Sequence, residues 1–399
     1  MSKLILSFCL SLLLYLSINI AYAAAEEKTP TISPWLYKQL SKSEELIASQ
    51  AYPQARKKLK ALLPDLKENS YSQALTLRSL ASVYALENQY KEATQHLLHC
   101  LSTHALPESQ QQNVLLNLGQ LYMATELYQK TIDTLAQYQG KKDAQILALL
   151  ANAHAQLKQY KKALPYIEQA IKQSKKPQES WLQLNLALYY ELDKYTSAAK
   201  LLRRLIAKYP NKKTYWQQLS TVYQQLNQFS KALNIQHLAY KKGFAFSESE
   251  LLQLFNLYIF KQEPYQAAEL LQLALKTKKV KVNSKHWEML AHAWTSAREY
   301  KKAIHALEKS SALNEKGELY LQLGRIHVEQ ERWTEAIKSI KQALNKGGLK
   351  NRGEAYILLG LSHYEMEKTA LAKQAFKHAV KFSKTKKSAQ QWLKYIEKT

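Results

Sequence analysis

The sequence predicts an all-α fold, a solenoid of about ten helix-turn-helix units closed by a C-terminal capping helix. Three observations carry this reading. Gly and Pro number nine each among 399 residues, too few for the tight turns of a many-stranded sandwich or barrel. Leu, Ala, Gln and Lys dominate, which are good helix formers, and 26 Tyr accompany them. An aromatic-x-x-Ala motif then recurs along almost the whole chain, at a period near 34 to 36 residues.

The first segment is read as an address. Lys3, an apolar run from Leu4 to Ile20 and the small residues Ala21 to Ala25 form the three parts of a signal peptide. Cleavage fits after Ala23 or Ala25. The apolar run has 17 residues, at the short end for a membrane span, and no Cys follows it to take a lipid. The expected organisation is a signal peptide over 1–23, a short leader over 24–34, repeats over 35–382 and a capping helix over 383–399. Removing Cys9 with the signal leaves Cys100 alone, so no internal disulfide is expected.

The repeat anchors follow in order: Tyr52 with Ala55, Tyr90 with Ala93, Tyr128 with Thr131, Tyr160 with Ala163 and Tyr195 with Ala198. Phe229 with Ala232, Tyr265 with Ala268, Tyr300 with Ala303 and Trp333 with Ala336 continue the series, and a tenth copy keeps only Ala372. Upstream of several anchors lies a second signature, such as Trp216-x-x-Leu219-Ser220-x-x-Tyr223 and Tyr356-x-x-Leu359-Gly360-x-x-His363. Its large residues at i, i+3 and i+7 share one helical face, and the small residue lets a second helix approach. The stretch Trp181 to Asp193 fits poorly, so a shift of register is expected there. Pro53 and Pro64 shape the ends of the second helix in the first unit. Residues 388–397 read as a final amphipathic helix, which a solenoid needs to cover its open end.

These two signatures together resemble those of the tetratricopeptide repeat (TPR) family. The resemblance implies a right-handed superhelix whose first helices line a concave groove. A family clamp for a C-terminal carboxylate is not carried over, because Arg78 and Asn152, its only plausible elements, lie two units apart.

The search for catalytic chemistry returns little. Gly348 to Gly353 has phosphate-loop spacing, but Glu354-Ala355 follows in place of Lys and Ser/Thr. His96, His99, Cys100 and His104 fall within nine residues, yet Cys100 occupies a slot where other units place Ala. It is read as a small buried hydrophobe. His154, His327 and His363 stand where other units use Tyr or Trp and are read as core residues. No catalytic, cofactor-binding or metal-ligating residue is assigned, and the chain is read as a non-enzyme.

The groove remains. Its candidate partner-binding residues are Gln145, Asn152, Gln183, Tyr190, Gln217, Thr221, Gln224, Gln253 and Phe260. Amide side chains donate and accept together, which suits an extended peptide backbone. The formal charge of +25 would point to nucleic acid, but export argues against that partner. Anionic envelope surfaces fit the charge better.

Segments such as Trp216-Gln-Gln-Leu-Ser and Ser-Ala-Gln-Gln-Trp-Leu-Lys-Tyr-Ile further resemble exported TPR proteins encoded beside TonB–ExbB–ExbD systems. That resemblance implies a periplasmic scaffold for envelope proteins, TonB-system components among them. A periplasmic chaperone or assembly factor, or a binder of anionic envelope polymer or lipid, are the alternative readings.

Overall fold

The computed structural model describes residues 30–398, so the expected signal peptide and most of the leader lie outside the described residues. Among the described residues the secondary structure consists of 21 α-helices and one short 3-10 turn, without a strand. None of the helices is long and apolar enough to cross a membrane. The chain divides into two compact units, Met1–Leu202 and Arg203–Thr399.

The first unit runs through α1 (Pro34–Ala48), α2 (Tyr52–Leu62), α3 (Tyr71–Leu86), α4 (Tyr90–Ser102), α5 (Glu108–Ala124) and α6 (Tyr128–Ala136). It continues with α7 (Ala144–Gln156), α8 (Tyr160–Gln173), α9 (Glu179–Glu191) and the start of α10 (Tyr195–Lys208). The second unit holds α11 (Lys213–Gln225), α12 (Phe229–Lys241), α13 (Glu248–Phe260), α14 (Pro264–Lys276), α15 (Ser284–Ser296) and α16 (Tyr300–Leu313). After these come α17 (Gly317–Glu329), α18 (Trp333–Lys346), α19 (Arg352–Glu365), α20 (Thr369–Val380) and α21 (Lys386–Lys398). Within each unit, sequence neighbours pack side by side as antiparallel hairpins.

The ten anchor positions explain why the hairpins close. Every small residue of the motif, from Ala55 to Ala372 and including Thr131, has zero exposure. A larger side chain there would push the second helix off the first. The facing slot is small too: a methyl group added to Gly324 would come within 2.6 Å of Ile340, and one added to Gly360 within 2.7 Å of the Phe376 ring. Burial of the intervening leucines stabilises each hairpin, at roughly 1.5–3 kcal/mol for each large side chain taken from water.

The turn inside each hairpin has a common geometry. A residue two before the second helix adopts left-handed backbone: Asn88, Lys158, Asn227 and Glu331, for example, with φ of 59°, 58°, 56° and 54°. The following N–H reaches back five residues, as from Gln89 to Tyr84 O at 2.8 Å and from Gln228 to Tyr223 O at 2.7 Å. This satisfies a carbonyl that the helix end would otherwise leave unpaired. Glycine is absent from all ten of these positions, which is how a chain so poor in glycine turns this often.

The irregular stretch keeps its register. In α9 the turn bond from Lys194 N–H still ends on Tyr189 O, at 2.8 Å. Asn185 takes the leucine slot and Leu186 the small slot, both buried. The expected shift is therefore a substitution of residues within an unbroken frame. At the other end, α21 buries Ala389 and Ile396 against α20 and lays Trp392 parallel on Phe376, with ring centres 5.5 Å apart.

Candidate interaction surface

The second unit brings four of the groove candidates together. Gln217, Thr221 and Gln224 share one face of α11, and Gln253 stands on α13. With Trp216, Ser220, Gln236, Ala239, Phe246 and Glu250 they line a cleft of about 60 Å³. That is room for about two waters at their liquid volume, or for one inserted side chain. It does not match the several hundred Å³ of an ordinary small-molecule pocket.

Glu250 organises this cleft. Its carboxylate accepts from Lys213 Nζ at 2.7 Å, from the Ser247 N–H at 2.6 Å and from the Ser247 hydroxyl at 2.8 Å. The Gln217 amide also donates to it. Ser247 and Glu250 form a reciprocal cap at the start of α13, so the same carboxylate both ends a helix and ties it to α11. Burial by itself would push the Glu250 carboxyl up; the Lys213 and Ser247 hydrogen bonds outweigh it and hold the group below the usual carboxylate range. Lys213 is further fixed by the Ala245 carbonyl at 2.5 Å and lies over the Phe246 ring at 5.1 Å.

The other polar groups of the cleft form a looser network. The Ser220 hydroxyl donates to Ala232 O at 3.1 Å, and the Gln224 amide approaches Ser220 at 3.5 Å. Thr221 donates to the Gln217 carbonyl one turn earlier, at 3.1 Å. One Gln217 N–H is committed to Glu250; an amide holds a second N–H and an acceptor oxygen that a partner can use. Gln253 is exposed.

The remaining candidates are placed separately. Phe260 is 62% exposed, its ring 4.5 Å from Phe229, and it does not line the cleft. In the first unit Gln145 is exposed at the start of α7, where Asp143 caps its N–H at 2.9 Å. Asn152 accepts from Gln156 at 3.4 Å, and Gln183 donates to Glu179 at 3.2 Å, each along its own helix. Tyr190 packs edge-on to Tyr195, and burial, followed by the Tyr195 neighbour, pushes its phenol up.

Sequence reasoning found the amides and missed Glu250 and Lys213. The available signal was the pair Ser247 and Glu250, a cap spacing at a helix start. It names a helix boundary, whereas the tie to Lys213, 37 positions earlier, depends on the repeat pitch.

Of the histidines and Cys100 considered for other chemistry, His99 and His104 are exposed, and the others are partly or fully buried. Cys100 is 1% exposed, donates to Ala74 O at 3.2 Å, and burial pushes its thiol up to about 12 against a smaller opposing pull from Arg78. His96 stacks on Tyr84 at 5.1 Å. His154, His327 and His363 are all buried.

Three segments match models of the tetratricopeptide repeat: residues 154–223, 319–352 and 353–386. No curated protein matches the chain. Among solved structures, a tetratricopeptide repeat protein from Parabacteroides merdae is similar at 12% identity over 70% of this chain and 93% of that one, with a TM-score of 0.40. YrrB, described as a TPR protein with an unusual peptide-binding site, is similar at 17% identity over 49% of this chain and all of that one, with a TM-score of 0.38. MamA is similar at 21% identity over 44% and 94%, with a TM-score of 0.36. The narrower resemblance to repeat proteins of TonB systems gains no support from these matches.

Proposed function

We propose that this chain, a tetratricopeptide repeat protein, acts as an interaction scaffold that seats an extended segment of another protein across α11 and α13. Repeats of this family imply protein–protein interaction in general. The observation that supports this particular face is the cleft that Gln217, Thr221, Gln224 and Gln253 line together with Glu250, which Lys213 holds in place. Paired amides on a rigid helix face can bond a peptide backbone on both its N–H and C=O groups. The notch between them has the size of one side chain. Binding alone is the mechanism, and the expected partner is a protein.

The place of action belongs to the same proposal and rests on the sequence. The signal-peptide pattern of residues 1–23 and the resemblance to exported repeat proteins suggest a periplasmic protein serving TonB-dependent transport. The partners to try first are the periplasmic segments of TonB and ExbD.

The test has two parts. Peptides selected for binding to the mature chain, and the two TonB-system segments, are titrated against the parent and against Gln217→Arg with Gln224→Arg. A partner that binds the parent and loses at least about tenfold in the variant supports the face. Binding indifferent to both changes removes it. A fusion of residues 1–30 to a periplasm-dependent reporter tests export separately.

A further inference from the structure

The positive charge of this chain is unequally divided. Between Arg203 and Thr399 there are 35 Lys and Arg against 16 Asp and Glu, a net +19 of the chain's +25. The concentration is greatest at the end. From Thr369 to Thr399 there are eight Lys, no Arg, and a single acid, Glu397.

Seven of these lysines lie on the last two helices and the turn between them. Lys373, Lys377 and Lys381 follow one another at i, i+4 and i+8 along α20 and its C-cap, and Lys384 lies in the turn that leads into α21. Lys386, Lys387 and Lys394 continue onto α21. All but the half-buried Lys373 are exposed. Among the described residues none of these seven has a carboxylate within ion-pair distance. Lys213, Lys302, Lys346, Arg325 and Arg332 of this unit each do. Other lysines of the unit also lack a partner, and what sets the end apart is seven of them close in sequence with a single acid.

The composition of the patch selects among partners. Lysine is a compact, mobile point charge, whereas arginine gives the planar fork that recognises carboxylate or phosphate in fixed geometry. A patch built only of lysine attracts a diffuse anionic field with little demand on geometry. The exposed side chains Leu371 and Tyr395, 44% and 52% exposed, stand on the same two helices. An exposed tyrosine beside lysines suits a headgroup layer. The apolar face of α21 is not free for deep insertion, because Ala389, Ile396 and Trp392 pack against α20.

We infer that the α20–α21 end of this protein is a docking surface for an anionic lipid membrane, held at the headgroups by charge. The lysines sit over lipid phosphates without entering the hydrocarbon. This surface is separate in sequence from the α11–α13 cleft, so a failure of one reading leaves the other standing.

The experiment is flotation of the mature chain with vesicles of phosphatidylcholine alone and with 30% phosphatidylglycerol. Binding is expected only to the anionic vesicles and is expected to fall steeply as salt rises, since screening shortens the reach of exposed charge. Lys381→Gln, Lys384→Gln and Lys387→Gln together are expected to weaken binding about 100-fold, at about fivefold for each lysine near a charged surface. All three lie on the surface, so the melting temperature should not change. A matched triple change at Lys161, Lys162 and Lys172 in the first unit should leave binding intact. Equal flotation with both vesicle types overturns the inference, as does a Lys381/384/387 variant that still binds. Capture by soluble poly-glutamate with no flotation would overturn it as well, in favour of an acidic protein.

Discussion

The two units use one helix-pair scaffold and tie neighbouring pairs with different mixtures of side chains. In the first unit, α3 and α5 are joined by Arg78 to Gln110 at 3.4 Å and by Gln110 to the Tyr71 hydroxyl at 2.8 Å. In the second, Lys213 meets Glu250 at 2.7 Å, and Arg325 grips Glu354 through two bonds of 2.8 and 3.0 Å. The repeat pitch brings together residues about 30 to 40 positions apart, whichever side chains they carry. The chemistry of the rung is left free. The first unit uses amide and phenol rungs beside the Arg56–Glu87 pair at 2.8 Å, whereas the acids of the second unit are too few for its cations, so most of its net +19, the end lysines included, stays uncompensated.

The strongest way to break this comparison is at the small slots. Gly360→Ala puts a methyl 2.7–2.8 Å from three ring atoms of Phe376, which is fully buried and stacked on Trp392. A rigid ring cannot yield, and we expect a loss of about 2–3 kcal/mol even after the roughly 1 kcal/mol gain in helix propensity. Gly119→Ala in the first unit meets the branched end of Leu135 at 2.9 Å. Leu135 is as buried as Phe376, but an aliphatic chain is less rigid than a ring, so the net loss should be smaller, at about 1 kcal/mol. Urea unfolding of both variants measures the difference, and equal losses would show that the slot's neighbour does not matter.

The rungs come next. Glu250→Gln weakens the cap and the Lys213 pair and should cost about 1–2 kcal/mol, whereas Gln110→Ala should cost about 0.5–1.5 kcal/mol. The two also separate by pH. The folded Glu250 carboxyl lies below its ordinary value, so its contribution is full above the unfolded value near 4.3 and is lost as pH falls through the lower folded value. Melting curves between pH 6 and 3 should therefore fall less steeply for Glu250→Gln than for the parent, and Gln110→Ala should run parallel to the parent.

The smallest expected effect concerns the histidines. In the first unit His154 Nδ1 meets Gln159 Oε1 at 2.7 Å. In the second, the Nδ1 atoms of His327 and His363 are buried without a hydrogen-bond partner among the described residues. Burial first, then Arg332 beside His327 and Lys341 and Lys368 beside His363, hold both imidazoles below the ordinary value. A base whose folded pKa is depressed charges more readily when unfolded. Stability is therefore whole above about pH 6.5 and declines as pH drops toward the folded values. His327→Tyr with His363→Tyr, the residue type that other units carry there, should flatten the melting temperature between pH 7 and 5. An unchanged slope would move the acid sensitivity elsewhere.

Much of the helix frame was legible because the motif encodes packing directly. Ala55 to Ala372 mark the close approaches, and all ten are fully buried. His154, His327, His363 and Cys100 were also legible, since each stands in a slot whose burial the neighbouring repeats define. The stretch around Asn185 was misread as a shift, because a polar residue in a leucine slot looks like a slipped pattern when only the sequence is seen. The turn bond from Lys194 fixes the frame there. The cleft was half legible. Gln217, Thr221, Gln224 and Gln253 follow from helix periodicity, but their dependence on Glu250 does not, because a cap spacing gives no hint of a partner 37 positions away.

The sequence by itself determined the helices, their pairing into hairpins and the small residues at each close approach, because all of these are set by contacts within one repeat of about 35 residues. It also determined how much charge the chain carries. Tertiary structure decided which charges cancel: Lys213 and Arg325 against acids of the next hairpin, and, among the described residues, Lys377, Lys386, Lys387 and Lys394 against none. Whether a side chain finds its opposite depends on the rise and rotation between stacked hairpins. Those quantities follow from how whole helices pack, and no local pattern records them.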